Sequence, residues 1–282
     1  MWVYSTLLLA TLVLGGFTRM TGSGLSIATW KPVSGVIPPL SDAAWQIEFD
    51  NYKKIPQFLV DNPGMTLSGF QAIFWPEWTH RLLDRLIGVA FAVPFLVFLV
   101  QRRLSRKLIA PLALLFCLGG LEGVIGWWMV TSGIETSTLT SVSQYRLAIH
   151  LGVAIILLGA ILWTALEYLR STPADRPVPK SLRTGSVVLV ALVYIQMLLG
   201  ALVAGLHAGL IYNTWPSMDG RAFPELNFTW TSFFEDPGLA QFDHRIGAYI
   251  VVFVAIALTG LVHSRRLGKH AARSASTVGG LV

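Results

Sequence analysis

Six stretches of this chain, about residues 2–20, 81–100, 108–130, 146–168, 184–206 and 244–263, are apolar over nearly the length a helix needs to cross a bilayer. Hydrocarbon offers no water to the backbone amides, so each stretch must satisfy its own hydrogen bonds as a helix. The fold class this dictates is all-α, a polytopic membrane helical bundle. Composition agrees: 54% of the 282 residues are hydrophobic, only 13% are charged, and mean hydropathy is +0.61. A soluble domain carries about a quarter charged residues. The first stretch starts at Met1 without a basic n-region or a small-residue cleavage site, and reads as a true span, not a signal peptide. The lone Cys117 lies inside a span and reads as a small buried hydrophobe.

The net charge of +6 does not point to nucleic acid. Basic residues gather in QRRLSRK (101–107), in 170–183 and in RRLGKHAAR (265–273), the connections after the second, fourth and sixth spans. The positive-inside rule places those connections, and the N-terminus, on the cytoplasmic or matrix side. The alternate loops, roughly 19–80, 131–145 and 207–243, then lie outside. Topology accounts for the surplus charge, and the partner surface is membrane lipid.

STPADRPVPKSLR (171–183), with its three prolines, reads as an inner linker between a first half, 1–170, and a second, 184–282. A repeat supports that division. GLSIATWKPVSG (24–35) and GLIYNTWPSMDG (209–220) share GL-x3-TW-x4-G, and each precedes a His-Arg pair, His80-Arg81 or His244-Arg245, that opens an apolar run. The interval from Trp30 to His80 is 50 residues and that from Trp215 to His244 is 29, the extra length falling in 42–77. That insert carries Trp45, Tyr52, Trp75 and Trp78 and reads as interfacial. The second half has no counterparts of spans three and four, and the terminal ASTVGGLV resembles the first turns of a further span, which favours a truncated sequence. Two pseudo-repeated four-helix halves are therefore expected, with six of the helices present.

Three of the six histidines share one depth: His80, His244, and His150 about five residues into the fourth span. His263 and His270 fall on the basic side as solvated loop residues, and His207 ends the fifth span in an interfacial position. An ionisable group in a span costs on the order of 2.5–3.5 kcal/mol, so three at one depth call for a use beyond capping near headgroups. Zinc favours ligands close in sequence. One histidine per helix suits instead a flat macrocycle held between antiparallel helices with an axial imidazole from each side. His80 and His150 form one candidate pair, and His244 belongs to a second site. Arg81 and Arg85, four apart, can point together toward haem propionates or snorkel to the interface. Gly88, two turns from His80, leaves room for the porphyrin plane. Glu77 is either a proton acceptor at the haem edge or a helix-start acid favoured by the macrodipole. Nothing in the sequence pairs Glu122.

The stretches GGFTRMTGSGLSIATWKPVSGVIPPL, IFWPEWTHR, GWWMVTSG, YRLAIHLG, YNTWPSMDG and FDHRIGAY together resemble the heme A synthase family, in its alphaproteobacterial and mitochondrial branch. The resemblance implies eight helices in two similar halves, each binding haem through a histidine pair. It implies oxidation of the C8 methyl of heme O to the formyl group of heme A, through hydroxylation with water as oxygen source. By position it makes Glu77 the catalytic acid, His80 and His150 the ligands of the substrate-haem iron, and His244 a ligand of a haem b cofactor whose partner lies in a helix this sequence lacks. It further implies the bacterial inner membrane, a pathway shared with heme O synthase and cytochrome c oxidase assembly, an electron acceptor, and an arrangement open to homo-oligomers. Glu122 stands where the family commonly has glutamine, and the paired loop cysteines of another branch are absent. A non-catalytic bis-histidine di-haem electron carrier would use the same imidazoles without Glu77. A transporter would place its sites at mid-membrane.

Overall fold

The computed structural model describes residues 2–134, 138–169, 179–224, 229–265 and 269–281. The chain divides into two compact units, Met1–Ser171 and Thr172–Val282. Most of the expected linker, 171–178, lies outside the described residues, and its last four positions, 180–183, already belong to a helix.

The first unit contains α1 (Trp2–Met20), α2 (Asp42–Tyr52), α3 (Pro56–Val60), α4 (Leu67–Val100), α5 (Arg106–Thr131) and α6 (Gln144–Leu169). The second contains α7 (Lys180–Gly205), α8 (Ser232–Glu235), α9 (Pro237–Ser264) and α10 (Lys269–Leu281). Among the described residues there is no strand, only an isolated bridge between Met218 and Arg221. Five helices, α4, α5, α6, α7 and α9, are long and apolar enough to cross a membrane, so this is a multi-pass membrane protein. The first expected span is helical over Trp2–Met20. Within α1 Ser5, Thr11 and Thr18 are buried, and the two threonines donate back to Leu7 O (3.0 Å) and Gly15 O (2.8 Å).

Helices α1, α4, α5 and α6 form a closed ring of contacts, α1 against α4 and α6, α5 against α4 and α6. Short connections make successive helices antiparallel, so α4 and α6 run parallel and face each other across the bundle diagonal. The histidine helices are therefore not antiparallel neighbours, as the sequence suggested. Two apolar layers hold the ring together. One, of Leu8, Ile87, Phe91, Leu115, Leu157 and Ile161, fills the end remote from the long first loop. The other, of Leu25, Ile27, Phe49, Tyr52, Phe70, Phe74 and Val130, lies beneath that loop.

The largest departure from the sequence reading is the start of α4. The apolar run begins near residue 81, yet the helix starts at Leu67, with Thr66 accepting from Gly69 N at 3.2 Å and Pro76 inside it. Pro76 removes one backbone donor, but the extra turns bury Phe70, Phe74 and Glu77 on one face, and the first two of these pack against Trp45 and Phe49 of α2. At 34 residues α4 is about 51 Å long, far more than the roughly 30 Å of hydrocarbon, so its first turns rise into the loop cap. The insert at 42–77 is thus a small folded cap. Tyr52 is fully buried, donates to Gln57 Oε1 at 3.1 Å and accepts from Asn62 Nδ2 at 3.0 Å, and burial pushes its phenol above the ordinary value. Trp75, by contrast, is exposed.

In the second unit α7 and α9 pack along their lengths and α10 packs on α9. Helix α9 likewise begins before its apolar run, capped by Asp236, which accepts from Leu239 N at 2.7 Å, with Pro237 in the first turn. His80 and His244 therefore do not open their helices; both lie well inside. The macrodipole reading of Glu77 fails for the same reason, because it sits ten residues past Leu67. Cys117 is exposed on α5, not buried. Span membership alone does not tell which face of a helix looks outward.

Candidate functional site

Between the two apolar layers of the first unit lies a polar layer to which all four helices of the ring contribute. On α4 it falls between Phe74 and Ile87 and contains Glu77, His80 and Asp84, spaced i, i+3, i+7 and therefore on one face. On α5 it falls between Leu118 and Trp127 and contains Glu122 and Gly126; on α6 it falls between Leu147 and Leu157 and contains His150; on α1 it contains Gly15.

His80 and His150 converge there. Asp84 is close enough to interact electrostatically with both imidazoles as well as with Glu77 and Arg81. The Asp84 side chain is exposed, so the space beside the two imidazoles is not filled by protein at this position. A Cβ added at Gly88 would meet nothing within 4 Å. Two imidazoles from diagonal helices, beside open space and with apolar layers above and below, fit a planar macrocycle with two axial nitrogens.

The histidine rings lie on glycines of neighbouring helices. A Cβ at Gly15 would stand 3.0 Å from His80 Nε2, one at Gly126 3.0 Å from His150 Cε1, and one at Gly200 3.1 Å from His244 Cε1. Glu122 Oε1 is 2.8 Å from His150 Nδ1, but neither atom is aligned for a regular hydrogen bond. In the second unit Gln196 Nε2 lies 2.9 Å from His244 Nδ1 and donates to His244 O at 2.8 Å.

Arg81 and Arg85 are tied to the loop above. Arg81 Nε donates to Glu77 Oε1 at 2.6 Å, and its Nη2 and Nη1 reach Ile27 O at 2.9 Å and Thr29 O at 3.4 Å. Arg85 donates to Pro32 O and Lys31 O, both at 2.8 Å, and Trp78 Nε1 to Gly35 O at 3.1 Å. Free snorkelling does not describe either arginine. The second unit repeats the clasp at equivalent positions: Arg245 donates to Tyr212 O at 2.7 Å and Thr214 O at 2.9 Å, the counterparts of Ile27 and Thr29 in the GL-x3-TW repeat. The copies differ where Glu77 is matched by Gln241, whose amide accepts from Tyr212 N at 3.0 Å and donates to Gly209 O and Tyr212 O. Gln241 is thereby fully used in holding its loop. A recess of about 350 Å³ under the first loop is lined by Thr29, Lys31, Trp78, Arg81 and Arg85 among others. Thr29 Oγ1 and Arg85 Nη1 are buried without a hydrogen-bond partner.

His207 follows α7 with a left-handed backbone (φ 53°), and His263 is within 2.9 Å of Thr259 O. The side chain of His270 lies outside the described residues. The sequence reading missed Asp84, Gln196 and the three glycines. Asp84 carried a usable signal, an acid inside a span one turn after His80. Gln196 and the glycines carried none, since their roles appear only once helices are paired.

The site and fold define a multi-pass helical membrane protein whose repeated units each present histidine to the space between helices. The chain matches the model of the family described as cytochrome oxidase assembly protein over residues 1–282, and it belongs to that family. It is 48% identical to the heme A synthase of Parvibaculum lavamentivorans over 256 residues, covering 89% of this chain and 73% of that one. It is 48% identical to the heme A synthase of Brucella anthropi over 279 residues (94% and 77%) and to that of Brucella ovis over 287 residues (100% and 79%). No solved structure matches the chain.

Proposed function

We propose that this chain is a heme A synthase, an oxidoreductase that converts the C8 methyl of heme O to the formyl group of heme A. Conversion of methyl to formyl takes oxygen from one water and releases protons and electrons in equal number, so it requires a proton acceptor and an electron acceptor. Haem is the substrate at the first-unit site, and haem b is the cofactor at the second, where it supplies a path for the electrons. The observation that carries the reading is the polar layer, in which two imidazoles from diagonal helices share an interior with an acid held in place by Arg81.

Each residue then has a stated task. His80 and His150 hold the substrate iron, and His244 contributes to holding haem b. Glu77 takes up protons at the reacting edge, with Arg81 fixing its carboxylate through Nε. Arg85, whose Nη1 is buried and unpartnered, and Arg81 receive the propionates. Gln241, at the position equivalent to Glu77, cannot take up a proton, which favours an enzyme with one reactive site over a symmetric electron carrier. The protein lies in the bacterial inner membrane with its N-terminus inside and its haem sites toward the outer face, downstream of heme O synthase and upstream of cytochrome c oxidase assembly.

Expression with heme O synthase, followed by extraction and chromatography of membrane haems, tests the reading. Accumulation of heme A is the expected result; extracts holding only heme B and heme O overturn it.

A further inference from the structure

Glu122 and Gly126 stand one helical turn apart on α5 and meet the same imidazole. The carboxylate Oε1 is 2.8 Å from His150 Nδ1. A Cβ at Gly126 would stand 3.0, 3.5 and 3.6 Å from Cε1, Nδ1 and Nε2 of that ring. Gln196 and Gly200 have the same spacing on α7 and meet the same ring atoms of His244, with an amide NH2 where the first unit has a carboxylate. The amide Nε2 is 2.9 Å from Nδ1, and a Cβ at Gly200 would stand 3.1, 3.6 and 3.8 Å from the same three ring atoms. The two sets agree atom by atom to within 0.2 Å. His80 is placed differently: Gly15 lies nearest its Nε2, and Thr11, one turn before Gly15, donates to Leu7 O.

We propose that Glu122 and Gly126 form a seat that positions the His150 imidazole, the counterpart of the seat that Gln196 and Gly200 form for His244. Glycine lets the neighbouring backbone come up against the ring, since a methyl group there would force the imidazole to give by a few tenths of an ångström. The polar group one turn earlier engages Nδ1 and so sets the ring rotation. At His150 the carboxylate accepts the Nδ1 proton, which leaves Nε2 as the nitrogen free to coordinate. No other hydrogen-bond partner for either Glu122 oxygen occurs among the described residues, so the side chain is available for this role. A carboxylate accepting the Nδ1 proton makes an imidazole a stronger electron donor than an amide carbonyl in its place would, so Glu122 also lowers the reduction potential of the iron that His150 holds. Both residues are positioning residues, and the inference rests on the reading of His150 as an iron ligand.

The test is electron paramagnetic resonance and redox potentiometry on the haem-loaded protein, purified in detergent as wild type, Glu122→Gln, Glu122→Ala, Gly126→Ala and His150→Ala. Glu122→Gln, nearly isosteric, should keep the low-spin two-histidine spectrum and shift one midpoint potential upward. Glu122→Ala and Gly126→Ala should convert part of that haem to high spin. If Glu122→Ala does not accumulate, the potential of Glu122→Gln decides alone. An unchanged potential in Glu122→Gln, alongside a lost low-spin signal in His150→Ala, overturns the seat and leaves the haem reading standing. An unchanged spectrum in His150→Ala overturns the haem reading itself.

Discussion

At the scale of single residues, the contrast between Glu77 and Gln241 says most about chemistry. Both follow the same clasped loop, both are buried, and both lie three residues before a histidine. Gln241 spends its amide on backbone groups of the loop, whereas Glu77 accepts from the side chain of Arg81. Glu77→Gln should therefore fold and bind haem, because glutamine already serves at the equivalent position, but conversion of heme O should be lost. Unaltered conversion would remove Glu77 from the mechanism. Gly200→Ala should displace the His244 ring and alter the haem spectrum of the second unit; a spectrum identical to wild type would show that the close approach is not needed. Much of both candidate sites is legible in the sequence, because ionisable side chains in apolar runs stand out: Glu77, His80 and His150 in the first unit and His244 in the second. Asp84 carries the same signal, an acid inside an apolar run one turn after His80. The pairing of Glu122 with His150 was not legible, because nothing in a one-dimensional pattern shows that α5 turns Glu122 toward α6.

At the scale of elements, α4 joins two roles in one rigid rod: its first turns build the cap and its middle carries the site. Phe70 is fully buried between Phe49, Tyr52 and Trp45, so Phe70→Ala should cost about 3–5 kcal/mol and loosen the cap. Limited proteolysis should then cut within 42–66 faster than in wild type; an unchanged rate would mean that the cap holds without its centre. Arg245 donates to Tyr212 O, Thr214 O and Ser217 O, and hydrogen bonds to a charged donor contribute about 1.5–3 kcal/mol. Arg245→Ala should lower the thermal midpoint of the protein measurably, and a midpoint equal to wild type would show the clasp to be incidental. Hydropathy found the apolar part of each such helix and stopped where polarity began. The early starts of α4 and α9 depend on Thr66 and Asp236 as caps and on tertiary burial of Phe70, Phe74 and Leu239, which a hydropathy window does not register.

At the scale of the whole molecule, the repeat seen as five shared residues becomes a repeated set of bonds. Arg81 to Ile27 and Thr29 is matched by Arg245 to Tyr212 and Thr214, and each unit seats a histidine on a glycine. The units share this scaffold and differ in charge, with Glu77, Asp84 and Glu122 around the first and Gln196 and Gln241 around the second. On the proposed function, the first unit carries the reaction that releases protons and the second holds a group that need not take part in proton transfer. The measurement that tests this most directly is the haem composition of membranes in which the protein and heme O synthase are produced together, compared between wild type and Glu77→Gln. Heme A with the wild type and heme O alone with the variant is the predicted result. Absence of heme A from the wild type, or equal heme A from both, would contradict it.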